Sequence, residues 1–595
     1  MAPKIYTSQF PSVPVHDRSL FTHLFHSTPG TNNVGGYDGS LPAFVDAPTG
    51  TTITRVQLKQ LALQLGAGLR AHPALNAKRG DTVLIYSANS LTWPVVLFGS
   101  VAAGLRCTLA NSAYNERELA FQYTDSGARL VFTSEDGAAV VRATLKSLGL
   151  SEREADKRII VMTNGLDWVG GPAAPIKLEV SKLVKVADLL KFGALKEEEK
   201  FDRQLANETT YLCYSSGTTG KPKGVETTHR NITSVLDMVK PAFPPLDLAV
   251  DRLIGVLPFY HIYGAIKLLH FPFTCGAPVV IMARFDPVQF CANLDRYKIT
   301  VALVVPPILV VLARHPAVEQ YDISSLGRIC SGAAPLGAAL SKQVIDRLTP
   351  KRKGQPPMII IQGYGLTETS PTTHLVLDKD AQRKVGSAGI LLPNLEARLV
   401  VDGDGDGNID AAEGERGEIW VRGPSIMKGY LNNPTATKDS ITPDGWFKTG
   451  DIAYRDSDGY YFIVDRRKEL IKYKGFQVPP AELESVLLTH PDIADTAVIG
   501  VNSAREATEL PRAYVVHARP DTVKTDAQKA AFAQSVKKWI EGKVARHKFL
   551  RGGVVLIDVI PKSAAGKILR RELRERAKEE LAGRDPADDV VKSKL

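Results

Sequence analysis

The sequence predicts an α/β protein with buried sheets, a β-rich stretch past residue 395, and a small separate α/β unit at its C-terminal end. Three observations carry this reading: helical and strand-like apolar patterns alternate along most of the chain, turns become dense after residue 395, and a basic segment at 466–475 separates two textures. In order, the apolar residues of LKQLALQLGAGL (58–69) recur at the helical period, and GDTVLIYS (80–87) follows as a short buried strand. LTWPVVLFGSVAAGL (91–105) reads as helix. ARLVFTS (128–134), RIIVMT (158–163), LIGVLPF (253–259), APVVIMA (277–283) and VALVVPP (301–307) read as strands separated by helical or polar segments, the pattern of layered α/β folds. Beyond 395, EARLVV (396–401) and GEIWVRG (417–423) are short strands, and DSDGYYFIVD (456–465) holds the Asp-Gly pair of a hairpin. The segments AELESVLLTH, TAVIGV, RAYVVHA, FAQSVKKWIEGKV and VVLIDVIPK between 481 and 562 then form the small unit, with the boundary in the basic segment RRKELIKYKG.

Composition excludes disorder, collagen and coiled coil, with 44% hydrophobic and 23% charged residues in 595. At about 150 residues per domain the length suggests roughly four domains. Lys and Arg number 74 and Asp and Glu 64, so 74 − 64 gives +10, a balance suited to nucleic acid, membrane surfaces or phosphorylated cofactors. No nucleic-acid partner is expected, because no basic stripe is interleaved with aromatics. The five cysteines (107, 213, 275, 291, 330) are scattered without a CxxC pair, which predicts a reducing compartment and no structural metal. The N-terminal residues lack the apolar run of a secretory signal. The most apolar stretch, Ile299 to Ala313, is broken by Pro306 and Pro307 and falls short of the ~20 residues of a spanning helix, so no membrane span is expected. The closing tripeptide Ser593-Lys594-Leu595 is a peroxisomal address at a free C-terminus, which predicts a peroxisomal location and the import receptor as partner.

The most informative stretch is YLCYSSGTTGKPKGVETTH (211–229), in which a strand runs into a loop of Ser, Thr and Gly with two lysines, before a helix beginning near Asn231. Glycines let backbone N–H groups turn toward an anion, hydroxyls add donors and lysines add mobile charge, so the loop is built for phosphates. It is not a Walker A loop, since no Gly-Lys-Ser/Thr closes the spacing.

SSGTTGKPKG resembles the phosphate loop of the acyl-adenylate-forming family, which includes acyl-CoA synthetases, 4-coumarate:CoA ligases, beetle luciferases and peptide-synthetase adenylation domains. PFYHIYG (258–264), SGAAPLG (331–337), QGYGLTE (362–368), WFKTGD (446–451), DRRKELIKYKGFQV (465–478) and PKSAAGKILRREL (561–573) match further motifs in the family's order. The texture of IKYKGFQV is most similar to 4-coumarate:CoA ligases and their peroxisomal relatives.

The resemblance implies a large N-terminal body, 1–465, of two α/β sheet layers plus a small β-rich subdomain, a hinge at 466–475 and a small mobile α+β domain at 476–590. It implies ATP, Mg²⁺ and coenzyme A as cofactors, and a small-molecule carboxylic acid, aryl-propenoic or medium-chain, as substrate. A carboxylate becomes an acyl donor once its oxygen has displaced pyrophosphate from ATP, and both partners in that step concentrate negative charge. By resemblance, Ser215, Ser216, Gly217, Thr218, Thr219, Gly220, Lys221 and Lys223 surround the phosphates, Thr367 holds the α-phosphate and Glu368 ligates Mg²⁺. Asp451 binds the ribose with Arg466 beside it, and Gln362, Gly363 and Tyr364 flank adenine. Lys567 reaches the reacting carboxylate, Lys472 and Gln477 assist adenylation, and Lys468 is the pivot. Lys474 and Gly475 fall on the pantetheine tunnel, with His261 gating it. The acyl pocket falls on Tyr263, Lys267, Gly332, Gly365, Pro371 and Thr372. Lys267 departs from the small or uncharged residue of related ligases; it either faces the pocket, to meet a second polar or carboxylate group, or snorkels to solvent.

DGDGDGNIDAAE (402–413) fits the EF-hand template through Asp402, Asp404, Asp406, Asp410 and Glu413. Its flanks read as strands, so an acidic hairpin tip is the expected structure and a helix-free Ca²⁺ loop the alternative. Competing functions are a luciferase-like adenylating oxygenase and a non-catalytic adenylate-binding protein. The latter is disfavoured because Glu368, Asp451 and Lys567 are all in place.

Overall fold

In a computed structural model, residues 3–215, 222–401, 407, 409–563 and 566–587 are described. The expected phosphate-loop residues Ser216, Gly217, Thr218, Thr219, Gly220 and Lys221, the residues Asp402, Asp404 and Asp406, and the tripeptide Ser593 to Leu595 lie outside them.

Among the described residues the predicted strands assemble into an eight-stranded sheet, a nine-stranded sheet and a five-stranded sheet, with a three-stranded sheet in the C-terminal unit. In the eight-stranded sheet the run from Val184–Lys185 to Thr209–Ser215 is parallel. The middle of the nine-stranded sheet, from Pro42–Asp46 to Ile359–Tyr364, is also parallel. Such strands read as continuous apolar runs because both faces are covered. The helix Thr92–Ala102 is buried at every position, as an all-round apolar helix must be. Its Trp93 meets Phe259 and its Phe98 meets Phe25 and His270, which ties it to the polypeptide of the second sheet. The apolar run at 299–313 divides at its prolines into the strand Val301–Val304 and the helix Pro306–Arg314, because proline is tolerated in a first helical turn. Among the described residues no helix is long and apolar enough to cross a membrane.

One local expectation is corrected. Residues 223–228 do not belong to a loop leading into the helix: Lys223–Thr228 returns antiparallel along Thr209–Ser215, from Ser215 opposite Lys223 to Thr209 opposite Thr228. Glycine at 224 allows this close return, since a Cβ there would lie 3.0 Å from the Tyr214 ring. The helix then begins at His229, where the Thr228 hydroxyl accepts from Asn231 N–H and the Asn231 side chain accepts from Thr228 N–H.

The β-rich part is the antiparallel series Glu396–Val400, Gly417–Arg422, Phe447–Arg455 and Tyr461–Arg466. Gly459, at φ +90, supplies the turn of the last hairpin. The flanks of 402–413 are thus strands, and among the described residues no helix pair brackets it. Asp410 is committed to the protein: Arg398 donates to it at 3.0 Å and Lys4 N–H at 2.7 Å.

A large apolar cluster runs from Leu20 to Tyr461, and a second from Ile471 to Ala587. The second packs the strands Ile493–Ser503, Thr508–His517 and Val554–Leu556 against the helices Pro480–Leu487, Asp526–Glu541 and Arg570–Glu580. The hairpin Ile471–Tyr473 and Phe476–Val478 turns through Lys474 and Gly475, at φ +45 and +84, the positive pair of a two-residue turn.

Candidate active site

A cavity of about 510 Å³ opens where the C-terminal ends of both parallel sheets meet the β-rich sheet and the C-terminal unit. Open α/β sheets place ligands at this end because the loops diverge there while the strands hold their bases rigid. Ser215 ends its strand facing the cavity, and its hydroxyl is buried with no hydrogen-bond partner among the described residues. Lys223 begins the return strand, with Nζ 4.0 Å from the centre of the Tyr430 ring. The Tyr430 hydroxyl donates to Glu368 Oε1 at 2.8 Å, so one oxygen of this buried carboxylate is held while the other makes no hydrogen bond among the described residues. Thr367 opens the short turn Thr367–Thr369 that carries Glu368 into the cavity. Tyr430 was not singled out in the sequence; it sits on a two-residue strand whose only local mark is a preceding glycine.

Asp451 does not itself line the cavity, but two residues that do line it hold it: Tyr364 donates to Asp451 Oδ2 at 2.6 Å, and Arg466 Nε lies 3.2 Å from Asp451 Oδ1. Asp451 raises the affinity of the Arg466 guanidinium for its proton, while burial and Asp451 together push the Tyr364 phenol far up. Phenol and guanidinium are therefore both fixed as donors around one carboxylate. Gly363 and Tyr364 line the cavity, but Gln362 does not. Its side-chain oxygen instead accepts from Leu336 N–H at 3.1 Å, which ties the SGAAPLG loop to the strand Ile359–Tyr364.

Lys567 enters from the C-terminal unit. Ser563 N–H donates to Lys567 O at 2.8 Å, and Gly566 takes φ +78 where a Cβ would stand 3.2 Å from Val305. This turn brings the lysine against the large body, where it lines the cavity with Thr367, Glu368, Arg466 and Lys468. Burial and then the Arg466 charge hold its ammonium down at about 8, against the pull of Asp451, Glu469 and Glu368. His261 caps the helix Ile262–Gly264, its Nδ1 accepting from Tyr263 N–H at 3.2 Å, so the neutral ring carries its proton on Nε2. Burial, with the Lys567 charge beside it, lowers His261 to about 4.

Lys472 and Gln477, expected beside the nucleotide, do not line this cavity. They face each other across the hairpin Ile471–Tyr473 and Phe476–Val478, both exposed. That hairpin is tied to its own unit: Lys472 N–H donates to Glu509 at 2.7 Å and Lys474 N–H to Thr508 at 2.8 Å. Lys472, Lys474 and Gly475 instead line a shallow concavity with Thr508 and Glu509.

The expected acyl-pocket residues form the remaining arm of the cavity. Tyr263, Lys267 and Phe271, spaced four residues apart, face it from one side, the middle one on the π-helical segment Ala265–His270. Gly332, Gly365, Pro371 and Thr372 form the far side. A Cβ on Gly365 would lie 1.6 Å from the Pro371 carbonyl oxygen, so that position needs glycine, and one on Gly332 would press on the Tyr263 ring at 3.1 Å. Lys267 is 7% exposed and does not snorkel to the outer surface; burial lowers its ammonium to about 7.

Solved structures share this fold. The anthranilate CoA ligase AuaEII, in complex with anthranoyl-AMP, superposes at TM-score 0.79 with 23% identity, covering 96% of this chain and 99% of its own. ATP-bound MatB from Rhodopseudomonas palustris gives 0.75 at 26% identity over 94% and 99%. The Bacillus subtilis o-succinylbenzoate CoA synthetase in complex with ATP and magnesium ion gives 0.71 at 25% over 93% and 99%. Fold and cleft thus define an enzyme of the acyl-adenylate-forming class. The family model for AMP-binding enzymes matches residues 33–431, and that for the AMP-binding enzyme C-terminal domain matches 482–567. The chain belongs to the AMP-binding enzyme family. Among curated relatives it is 35% identical over 541 residues to the 4-coumarate–CoA ligase-like 4 of Oryza sativa subsp. japonica, 91% of each chain. It is 34% identical over 588 residues to 4-coumarate–CoA ligase 1 of Petroselinum crispum, 97% of this chain and 98% of that one.

Proposed function

We propose that this acid–thiol ligase activates a small carboxylic acid, aryl-propenoic or medium-chain, with ATP and passes the acyl group to coenzyme A. In the first half-reaction a carboxylate oxygen bonds to the α-phosphorus and the bond to the β-phosphate oxygen breaks, releasing pyrophosphate. In the second, the CoA thiolate attacks the acyl carbon and AMP leaves. The convergence of Lys567, of Thr367 and Glu368, and of the Arg466 that pairs with Asp451 on one cavity carries this reading, since they come from three separate parts of the chain.

The residues divide the work by their chemistry. Asp451 accepts two ribose hydroxyl hydrogens while Arg466 and Tyr364 hold it oriented. The unpartnered Ser215 hydroxyl and Lys223 face the phosphates together with the loop outside the described residues. Glu368, braced by Tyr430 with one oxygen unbonded, fits a hard divalent cation such as Mg²⁺, which when bound would offset phosphate charge. Lys567, on the cavity lining, would meet the carboxylate and the α-phosphate, and neutral His261, on the same lining, would gate the passage between acyl pocket and thiol. We further propose that rotation about Lys468, within a hinge at 466–475, follows adenylation, withdrawing Lys567 and bringing Lys474 and Gly475 to the path by which CoA enters. Peroxisomal import is proposed on the tripeptide Ser593 to Leu595 alone.

Pyrophosphate release across a panel of aryl-propenoic and medium-chain acids, with and without CoA, tests the proposal: at least one acid should give AMP and a thioester. ATP-dependent light emission, or binding of adenylate without turnover, would favour the oxygenase or non-catalytic readings.

Because Lys567 is depressed to about 8, its charged form is present below that pH and lost above it. In the free enzyme kcat/KM for adenylation should therefore fall roughly tenfold per unit above pH 8. Lys567→Arg should flatten that alkaline limb even at reduced rate, because guanidinium does not deprotonate there.

A further inference from the structure

Lys267 sits six residues beyond His261 on the wall of the acyl arm. Its neighbours leave its charge unanswered. The ammonium lies 5.2 Å from the centre of the Phe271 ring, and no hydrogen bond or ion pair engages it among the described residues. The polar groups that act on it are the thiols of Cys330 and Cys275, and burial holds both protonated, Cys330 at about 11. The cavity it faces has Val239, Phe243, Leu303 and Leu375 among its apolar lining. A buried cation in such surroundings is expensive unless a counter-charge arrives.

We propose that Lys267 is a specificity-determining residue that selects acids bearing a second carboxylate, distal to the one activated, which it meets as a buried ion pair. The apolar walls take the hydrocarbon between the two carboxylates, and the amine takes the far end. Burial leaves the empty pocket's amine at about 7, and an incoming carboxylate raises it again, so the pair forms with Lys267 protonated. The same charge repels acids with a distal ammonium, so specificity has an attractive and a repulsive side.

The inference rests on the ligase reading, and matched acids separate the two. Pyrophosphate release and CoA thioester formation are measured at pH 7 for hexanoate against adipate, octanoate against suberate, and cinnamate against 4-carboxycinnamate. The wild type should favour the diacid in at least one pair by about 10²-fold in kcat/KM, the scale of a truncated buried charge pair. Lys267→Met should erase that preference, while Lys267→Glu should admit 6-aminohexanoate. The wild-type ratios decide the matter even where a variant folds poorly. Monoacids equal to or better than diacids in every pair, or parallel loss of both series in Lys267→Met, overturn the role of Lys267 and leave the ligase intact. If no acid of either series gives AMP, the ligase reading and this inference fall together.

Discussion

Replacing Lys567 with Met is expected to slow acyl-adenylate formation by about 10²- to 10³-fold, the loss typical of one preorganised donor at a developing charge. The turn that carries this lysine is clamped by the Ser563–Lys567 backbone bond and seated against Val305 through Gly566, so the ammonium is positioned before substrate arrives. Burial, and then Arg466 beside it, make it easily deprotonated, whereas Asp451, Glu469 and Glu368 hold its charge in place. The second half-reaction, thioester formation from supplied acyl-adenylate and CoA, should change by less than about threefold, since there the phosphate charge has already been dispersed. Equal loss in both halves would assign Lys567 to holding the two units together rather than to chemistry.

Asp451→Ala should raise KM for ATP by about 10²-fold, with a smaller effect on KM for the acid, because the lost contacts lie on the nucleotide side of the cavity. The carboxylate gathers the Tyr364 hydroxyl at 2.6 Å and Arg466 Nε at 3.2 Å, so its removal also leaves a guanidinium without its counter-charge. Tyr364→Phe serves as the companion measurement: it deletes one donor and keeps the Asp451–Arg466 pair, and should cost no more than about tenfold in the same constant. If the tyrosine variant matched the aspartate one, the carboxylate would be acting only through the ring it positions.

Much of this was legible in the sequence. Apolar runs marked the buried strands, an Asp-Gly pair marked the last hairpin of the β-rich part, and QGYGLTE marked the turn bearing Thr367 and Glu368. Other features left no local trace. The return strand Lys223–Thr228 hides its alternation among Gly, Glu and Thr, and is recognised only once it pairs with Thr209–Ser215. Gln362 looked like a nucleotide contact, yet strand pleating turns its side chain toward Leu336. Tyr430 braces Glu368 across 62 positions of sequence, beyond the reach of any periodicity. Lys472 and Gln477 stand outside the cavity because their hairpin is bonded to Glu509 and Thr508.

The sequence by itself determined the fold class and the chemical character of the loops, because apolar period, turn residues and clustered donors act over a few residues at a time. Only the tertiary structure decided which of those groups share a cavity, which carboxylate oxygens remain unbonded, and that Lys267 is buried inside the acyl arm rather than extended to solvent. The reason is physical. Burial and charge pairing depend on elements hundreds of residues apart closing on one another, and the free energy of an ammonium or a carboxylate is set by what surrounds it in space.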